Sequence, residues 1–173
     1  MQAPTLGIWC LGGHGRRIRR LAFGRRAAFD QAVLVPFAGR NLAAGIAHDA
    51  LALALATGRQ VAEGDRFVRA GQWAGSGKLG LASSVLDRRA GILGYGRIGR
   101  RLADMLRGLG MAVSYTARSE KPDSPDSFRP DAVSLAQDCE LLFVTAAGGE
   151  ATRSLVNAAV LSALGAQGIV VNV

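Results

Sequence analysis

Residues 91–101 read GILGYGRIGRR, and the interpretation of the whole chain turns on them. They set Gly94, Gly96 and Gly99 at the spacing G-x-G-x-x-G, straight after the apolar run Ala90–Leu93 and straight before a segment of helical period. A phosphate-binding turn needs that setting. The first glycine permits the tight turn, the second lets a pyrophosphate approach the backbone, and the third lets helix and strand pack closely. The unpaired N–H groups at the helix start then face the negative charge. A control lies in the same chain: Gly75, Gly77 and Gly80 in GSGKLG repeat the spacing after a helix end and Trp73, with no strand before them. That stretch also departs from a Walker loop, with Gln72 five positions before Gly77 and Leu79 where a magnesium-binding Ser or Thr belongs. It reads as a connector.

Working outward, a helix is predicted from about Arg97 to Leu109, with Ile98, Leu102, Met105, Leu106 and Leu109 on one face and Gly110 beyond its end. MAVSYT reads as a strand and ARSEKPDSPDSFRPD, with three prolines, as a loop. AVSLAQDC is a short helix, ELLFVTA a strand, EATRSLVNAAVLSAL a helix and GIVVNV a strand. Strands alternating with helices give an α/β fold, a Rossmann-type doubly wound parallel sheet that is incomplete here. The wholly apolar LLFV and IVV suit a sheet covered on both faces. Upstream, the Ala- and Leu-rich stretch from Leu42 to Ala70 predicts one long linking helix, buried in its first half and amphipathic in its second. Residues 1–41 show no sustained period. The expected division is therefore an irregular basic segment, 1–45, and a dinucleotide-binding domain, 46–173.

Charge and composition narrow the function. Arg16, Arg17, Arg19, Arg20, Arg25 and Arg26 lie in the first 29 residues, which hold no acid, and they supply most of the net charge of +8. No aromatic stacking platform accompanies them, so a solvated terminus is preferred to a nucleic-acid arm. No apolar run is long enough to span a bilayer, and the N-terminal charges follow the apolar stretch instead of preceding it, which speaks for a soluble cytoplasmic protein. Cys10 and Cys139 lie far apart, and His14 and His48 are the only histidines, so no metal site is expected.

The cofactor is legible one step further on. Sites for NAD place an Asp or Glu at the end of the second strand, about 20 residues after the glycines, to hold the ribose hydroxyls. Here that strand runs into Ala117, Arg118 and Ser119. An arginine and a hydroxyl suit a 2′-phosphate, so NADP(H) is preferred, with NAD(H) as the second option.

From about Ile46 to Val173 the chain resembles the D-isomer-specific 2-hydroxyacid dehydrogenases, especially the glyoxylate/hydroxypyruvate reductase branch. IAHDALALALATGRQVAEGDRFVRAGQW is similar to the helix linking that family's two domains, and GILGYGRIGRRLADMLRGLGMAVSYTARS to its nucleotide-binding βαβ unit. DCELLFVTAAGGEATRSLVNAAVLSALGAQGIVVNV is similar to the segment leading toward its catalytic arginine. The resemblance implies that Gly94, Gly96, Arg97, Ile98 and Gly99 hold the pyrophosphate and that Arg118 and Ser119 hold the NADP phosphate. It implies further that Ala146, Ala147 and Gly148 cover the adenosine side, and that Thr152 opens the next helix. It also implies hydride transfer between nicotinamide and a 2-keto or 2-hydroxy acid, and a homodimer formed around the long helix.

In that family an arginine grips the substrate, and a histidine oriented by a glutamate shuttles the proton. The arginine follows the strand that reads VVNV here, and the other two come later. No catalytic residue is therefore assigned, and a truncated, inactive cofactor-binding core is expected. Residues 1–45 show none of the pattern of the family's substrate domain and read as a remnant or unrelated segment. The alternative is a non-catalytic nucleotide-binding or nucleic-acid-interacting fragment.

Overall fold

The computed structural model describes residues 7–9, 42–75 and 77–173. The six N-terminal arginines, Cys10 and His14 lie outside the described residues.

All strand pairings are parallel. Strand β2 (Ala90–Leu93) lies at the centre, between β3 (Val113–Thr116) and β5 (Leu141–Val144). Outside β3 lies β4 (Ser127–Phe128), and outside β5 lie β6 (Ile169–Asn172) and then β1 (Gly7–Trp9), for an order β1-β6-β5-β2-β3-β4. Register puts Leu93 beside both Thr116 and Val144, so three strands end at one level. After β2 the chain moves one way to β3 and β4, then returns to the other side of β2 for β5 and β6. The crevice at that reversal, beyond the carboxyl ends of the strands, is where an open α/β sheet takes its ligand.

The alternation of side chains across a strand splits the core in two. Ala90, Ile92, Val113, Tyr115, Leu141, Phe143, Ile169 and Val171 face one side. They meet Ala47, Ala50, Leu53 and Ala54 of α1 (Leu42–Gly58) and Leu102, Ala103 and Leu106 of α4 (Arg97–Gly108). Leu93, Leu142, Val144 and Val170 face the other side. There they meet Leu135 and Ala136 of α5 (Ala132–Asp138) and Val160 and Leu164 of α6 (Ala158–Leu164). The Rossmann-type, doubly wound reading thus holds, with helices on both faces.

Four expectations need correction. The long helix is two: α1 ends at Gly58, and α2 (Val61–Arg69) starts after Gln60, which takes a left-handed conformation with φ 54°. A Cβ at Gly58 would lie 2.2 Å from Val85 Cγ2, so the glycine marks where the chain behind presses onto the helix. In α4 the helix ends at Gly108, and Leu109 is an exposed cap and not part of the buried face. The end is a Schellman motif, with Met111 N–H on the Leu106 carbonyl at 3.1 Å and Gly110 N–H on Arg107 at 2.8 Å. The segment predicted as one helix over EATRSLVNAAVLSAL is a 3₁₀ turn at Glu150–Thr152 followed by α6. Ser154 at φ 56° breaks the run, and the Asn157 side chain caps α6 by accepting the Val160 N–H at 3.1 Å. Finally, β1 and β4 escape a pattern-based reading, being three and two residues long.

Candidate cofactor site

The crevice is built around Gly94, at φ +106°. A Cβ there would sit 2.5 Å from the Ala146 nitrogen and 2.9 Å from the Thr145 carbonyl carbon, so only glycine fits between β2 and the turn after β5. The backbone is stitched on both sides: Gly94 N–H donates to the Thr116 carbonyl at 3.0 Å, and Thr145 N–H to Leu93 at 2.9 Å. The Thr145 hydroxyl, almost buried, donates to the Gly94 carbonyl at 2.6 Å. Gly99 serves a different end. A Cβ on it would lie 2.4 Å from the Gly94 oxygen and 3.0 Å from Ile92 Cγ2, so this glycine lets α4 rest on the strand and its turn.

Gly96 is the exception. A Cβ on it would meet nothing within 4 Å, and Gly96 is exposed. It is also the N-cap of α4 and brings no side chain to its open N–H groups. The N–H groups of Arg97, Ile98 and Gly99 thus begin a twelve-residue helix without capping and face the crevice with the positive end of the helix dipole. Two of the three glycines are explained by contacts within the fold; the third leaves room and free donors for an anionic group from outside. The crevice fits a pyrophosphate.

Tyr95, between the first two glycines, faces inward. Its ring stacks on Tyr115 of β3, centroids 4.0 Å apart and 26° from parallel, and the Arg100 guanidinium lies 5.6 Å above it. The Tyr95 hydroxyl donates to the Asp126 carboxylate and lies 2.9 Å from Ser124 Oγ. Burial, and then the bond to Asp126, push its pKa above the usual phenol value. Asp126 also takes a hydrogen bond from Arg107 Nη1 at 2.6 Å.

One step along the sheet, the end of β3 releases Ala117, Arg118 and Ser119. Arg118 is exposed and has no hydrogen-bond or ion-pair partner among the described residues. Ser119 Oγ accepts from Lys121 Nζ at 3.0 Å, which puts a second cation beside the hydroxyl. On the opposite side, Ala146 abuts Gly94 while Ala147 and Gly148 are exposed in the turn after β5. Thr152 does not open a helix, contrary to expectation. It ends the 3₁₀ turn, and its hydroxyl donates to the Ala147 carbonyl at 2.8 Å, bracing that turn from behind.

The glycine loop and Ala146 therefore touch, and Arg118 and Ser119 flank them at the next strand end. Sequence reasoning missed Thr145, Tyr95, Asp126 and Lys121. A hydroxyl or carboxylate one residue past a strand, or in a loop of mixed charge, carries no pattern of its own. Only Tyr95 had a signal that could have pointed to it, its place inside the glycine motif. His48 is exposed on α1 and is no member of this crevice. Of the decoy glycines, Gly75 closes a short helix, α3 (Gln72–Gly75), that the connector reading missed, and Gly77 and Gly80 lie in the exposed chain beyond it, with no strand before them. Among the described residues no helix is long and apolar enough to cross a membrane, and no cluster of His, Cys, Asp and Glu is placed to hold a metal ion.

Comparison with known proteins agrees with the geometry. Residues 51–173 match the family model described as D-isomer specific 2-hydroxyacid dehydrogenase, NAD binding domain. A glyoxylate/hydroxypyruvate reductase of Arabidopsis thaliana is 35% identical over 82% of this chain and 44% of its own length. The 2-ketogluconate reductase of Gluconobacter oxydans is 32% identical over 98% of this chain and 53% of its own. Among solved structures, a 2-hydroxyacid dehydrogenase from Ketogulonicigenium vulgare superposes with a TM-score of 0.71 at 39% identity, covering 79% of this chain and 44% of that one. An NADPH-dependent glyoxylate/hydroxypyruvate reductase from Sinorhizobium meliloti, in complex with NADP and malonate, gives 0.73 at 31% identity, covering 82% and 44%. The chain spans about half the length of the curated relatives it matches. It belongs to the D-isomer-specific 2-hydroxyacid dehydrogenases, and residues 51–173 are that family's NAD-binding domain.

Proposed function

We propose that this chain binds NADP(H) in preference to NAD(H), as the cofactor-holding part of an enzyme that reduces glyoxylate, hydroxypyruvate or a similar 2-keto acid. The bound nicotinamide supplies the hydride. The backbone of Gly94, Gly96, Arg97, Ile98 and Gly99 holds the pyrophosphate, Arg118 and Ser119 with Lys121 hold the 2′-phosphate, and Ala146 and Ala147, braced by Thr152, cover the adenosine. One observation carries the preference: an exposed arginine with no partner among the described residues stands at the end of β3, beside a hydroxyl and an ammonium 3.0 Å apart. A dianionic phosphate between such donors forms charge-assisted hydrogen bonds, each worth about 1.5–3 kcal/mol.

Among the described residues the only histidine is His48, which is exposed on α1, so proton transfer to a substrate is assigned to none of the described residues. Calorimetric titration of NADPH and NADH into the chain tests the cofactor reading. NADPH is expected to bind more tightly, and Arg118→Ala to weaken it by about tenfold or more; equal or tighter binding of NADH refutes the preference. NADPH oxidation with glyoxylate or hydroxypyruvate is expected to be undetectable with this chain alone, and measurable turnover would overturn that assignment. A homodimer about the linking helices is part of the proposal, and the exposure of Val61 and Val68 of α2 and of Trp73, at 58%, 59% and 67%, supports it. Sedimentation equilibrium is expected to find a dimer that Trp73→Ser weakens; a monomer at all concentrations refutes it.

A further inference from the structure

The two loops of the cofactor crevice are fastened to each other underneath it. Between the end of β3 and the start of β4 run residues 117–126, and Arg118 and Ser119 stand at the near end of that loop. Its far end is held by two hydroxyls from a single stacked pair of rings. The Tyr115 hydroxyl accepts the Lys121 N–H at 2.7 Å. The Tyr95 hydroxyl holds Ser124 and Asp126. Between those points Lys121–Ser124 forms a tight turn, with Ser124 N–H on the Lys121 carbonyl at 2.9 Å, and Asp126 N–H bonds back to Ser124 Oγ at 3.2 Å.

The Asp126 side chain is only 2% exposed and draws its countercharge from Arg107 of α4. A buried carboxylate, a phenol and a guanidinium contribute little net stability over apolar side chains of similar volume. What a fully satisfied polar network supplies is a single geometry. Here the geometry concerns the distance between Gly96, which faces the pyrophosphate, and Arg118, which faces the ribose. Tyr95 belongs to the first loop and grips the second.

We propose that Tyr95, Tyr115 and Asp126 are positioning residues that set the selectivity for NADPH over NADH, by fixing residues 117–126 relative to the glycine loop. The proposal rests on the reading of Arg118 and Ser119 as 2′-phosphate ligands. A loosened loop leaves those ligands present but free to wander, and the affinity lost is that of NADPH in particular.

The test titrates NADPH and NADH into the unaltered chain and into Tyr115→Phe, Asp126→Asn, Arg118→Ala and Tyr115→Phe/Arg118→Ala. Tyr115→Phe and Asp126→Asn are each expected to lower the ratio of NADPH to NADH affinity by about three- to tenfold, the worth of one hydrogen bond of position. On the Arg118→Ala background Tyr115→Phe is expected to change the ratio by less than it does alone, because part of its effect acts through Arg118 and the rest through Ser119 and Lys121 on the same loop. A merely structural role weakens both cofactors equally and leaves the ratio alone. That outcome, or full additivity in the double variant, overturns the inference while the NADPH preference of the unaltered chain stands. Absence of that preference in the unaltered chain instead removes the phosphate reading and the inference with it. If Asp126→Asn fails to fold, Tyr115→Phe, which deletes one oxygen, decides alone.

Discussion

The three glycines of residues 94–99 make separable demands, and substituting alanine at each in turn distinguishes a fold requirement from a ligand requirement. At Gly99 the new Cβ would lie 2.4 Å from a backbone oxygen that is itself bonded to the Thr145 hydroxyl, so neither partner can move away cheaply. Overpacking of this kind costs about 1–3 kcal/mol, and for a chain of this size each kcal/mol lowers the melting temperature by about 2–4 °C. Gly96→Ala meets open space instead. The poorer helix cap costs up to about 1 kcal/mol, and the stiffer unfolded chain returns about 0.4–1 kcal/mol, so the net change in stability is near zero. On the proposed reading the added methyl nevertheless stands in the pyrophosphate's path, and losing even one charge-assisted bond weakens binding by about tenfold or more. Urea unfolding, with thermal melts alongside, and calorimetric titration of NADPH are the assays. Gly99→Ala is expected to be destabilised and Gly96→Ala to be native-like in stability yet poor in binding. A Gly96→Ala chain that binds NADPH as before, or a Gly99→Ala chain as stable as the original, refutes the division of labour.

Further outcomes follow from other parts of the site and core. Lys121→Ala is expected to weaken NADPH by about three- to tenfold and NADH by less, and to flatten the salt dependence of NADPH titration. Equal losses for both cofactors would exclude Lys121 from the phosphate cradle. Tyr95 is neutral in the fold, with its pKa raised above the ordinary 10.0 by burial first and by Asp126 next. Between the unfolded and the folded pKa the native chain keeps a proton that the unfolded chain has lost, so stability falls as pH rises from 10. Unfolding curves of the original chain and Tyr95→Phe should diverge only in that alkaline window; parallel curves would deny the shift. Cys139 is buried, and burial, followed by the neighbouring Asp138 charge, holds its thiol pKa up at about 12. In a Cys10→Ser chain, a thiol reagent at pH 8 is expected to leave native protein unmodified and to react at once in denaturant; fast native labelling would show the core around Gly91 and Leu135 to be open.

The sequence carried the central sheet and the glycine turn because both are local. Four apolar residues before a glycine, and a 3.6-residue period after it, need nothing distant to be recognised. The decoy at Gly75–Gly80 was separable on the same ground. The close packing at Gly58, beside the helix break, was not legible, since it involves Val85, which reaches that glycine from 27 positions along the chain. Leu109 fits the helical period and yet lies exposed, because the Schellman turn through Gly110 and Met111 ends the helix first. At the site, Arg118 and Ser119 could be placed by counting from the glycines. Asp126 could not, for its role depends on Tyr95, Arg107 and a turn that brings all three together. Thr145 had the same defect: one hydroxyl, bonded to a carbonyl 51 residues earlier.

The small edge strand Gly7–Trp9 pairs with Val170–Asn172, so its partner comes from almost the other end of the chain. Closing so long a loop is entropically the most expensive step in the sheet, and only a three-residue ladder rewards it. It therefore has to come last in folding, after β2, β3, β5 and β6 have formed the surface on which it lands. In native-state hydrogen exchange the amides of this ladder should open first and at the lowest free energy, well below those of Ile92 and Phe143 at the centre of the sheet.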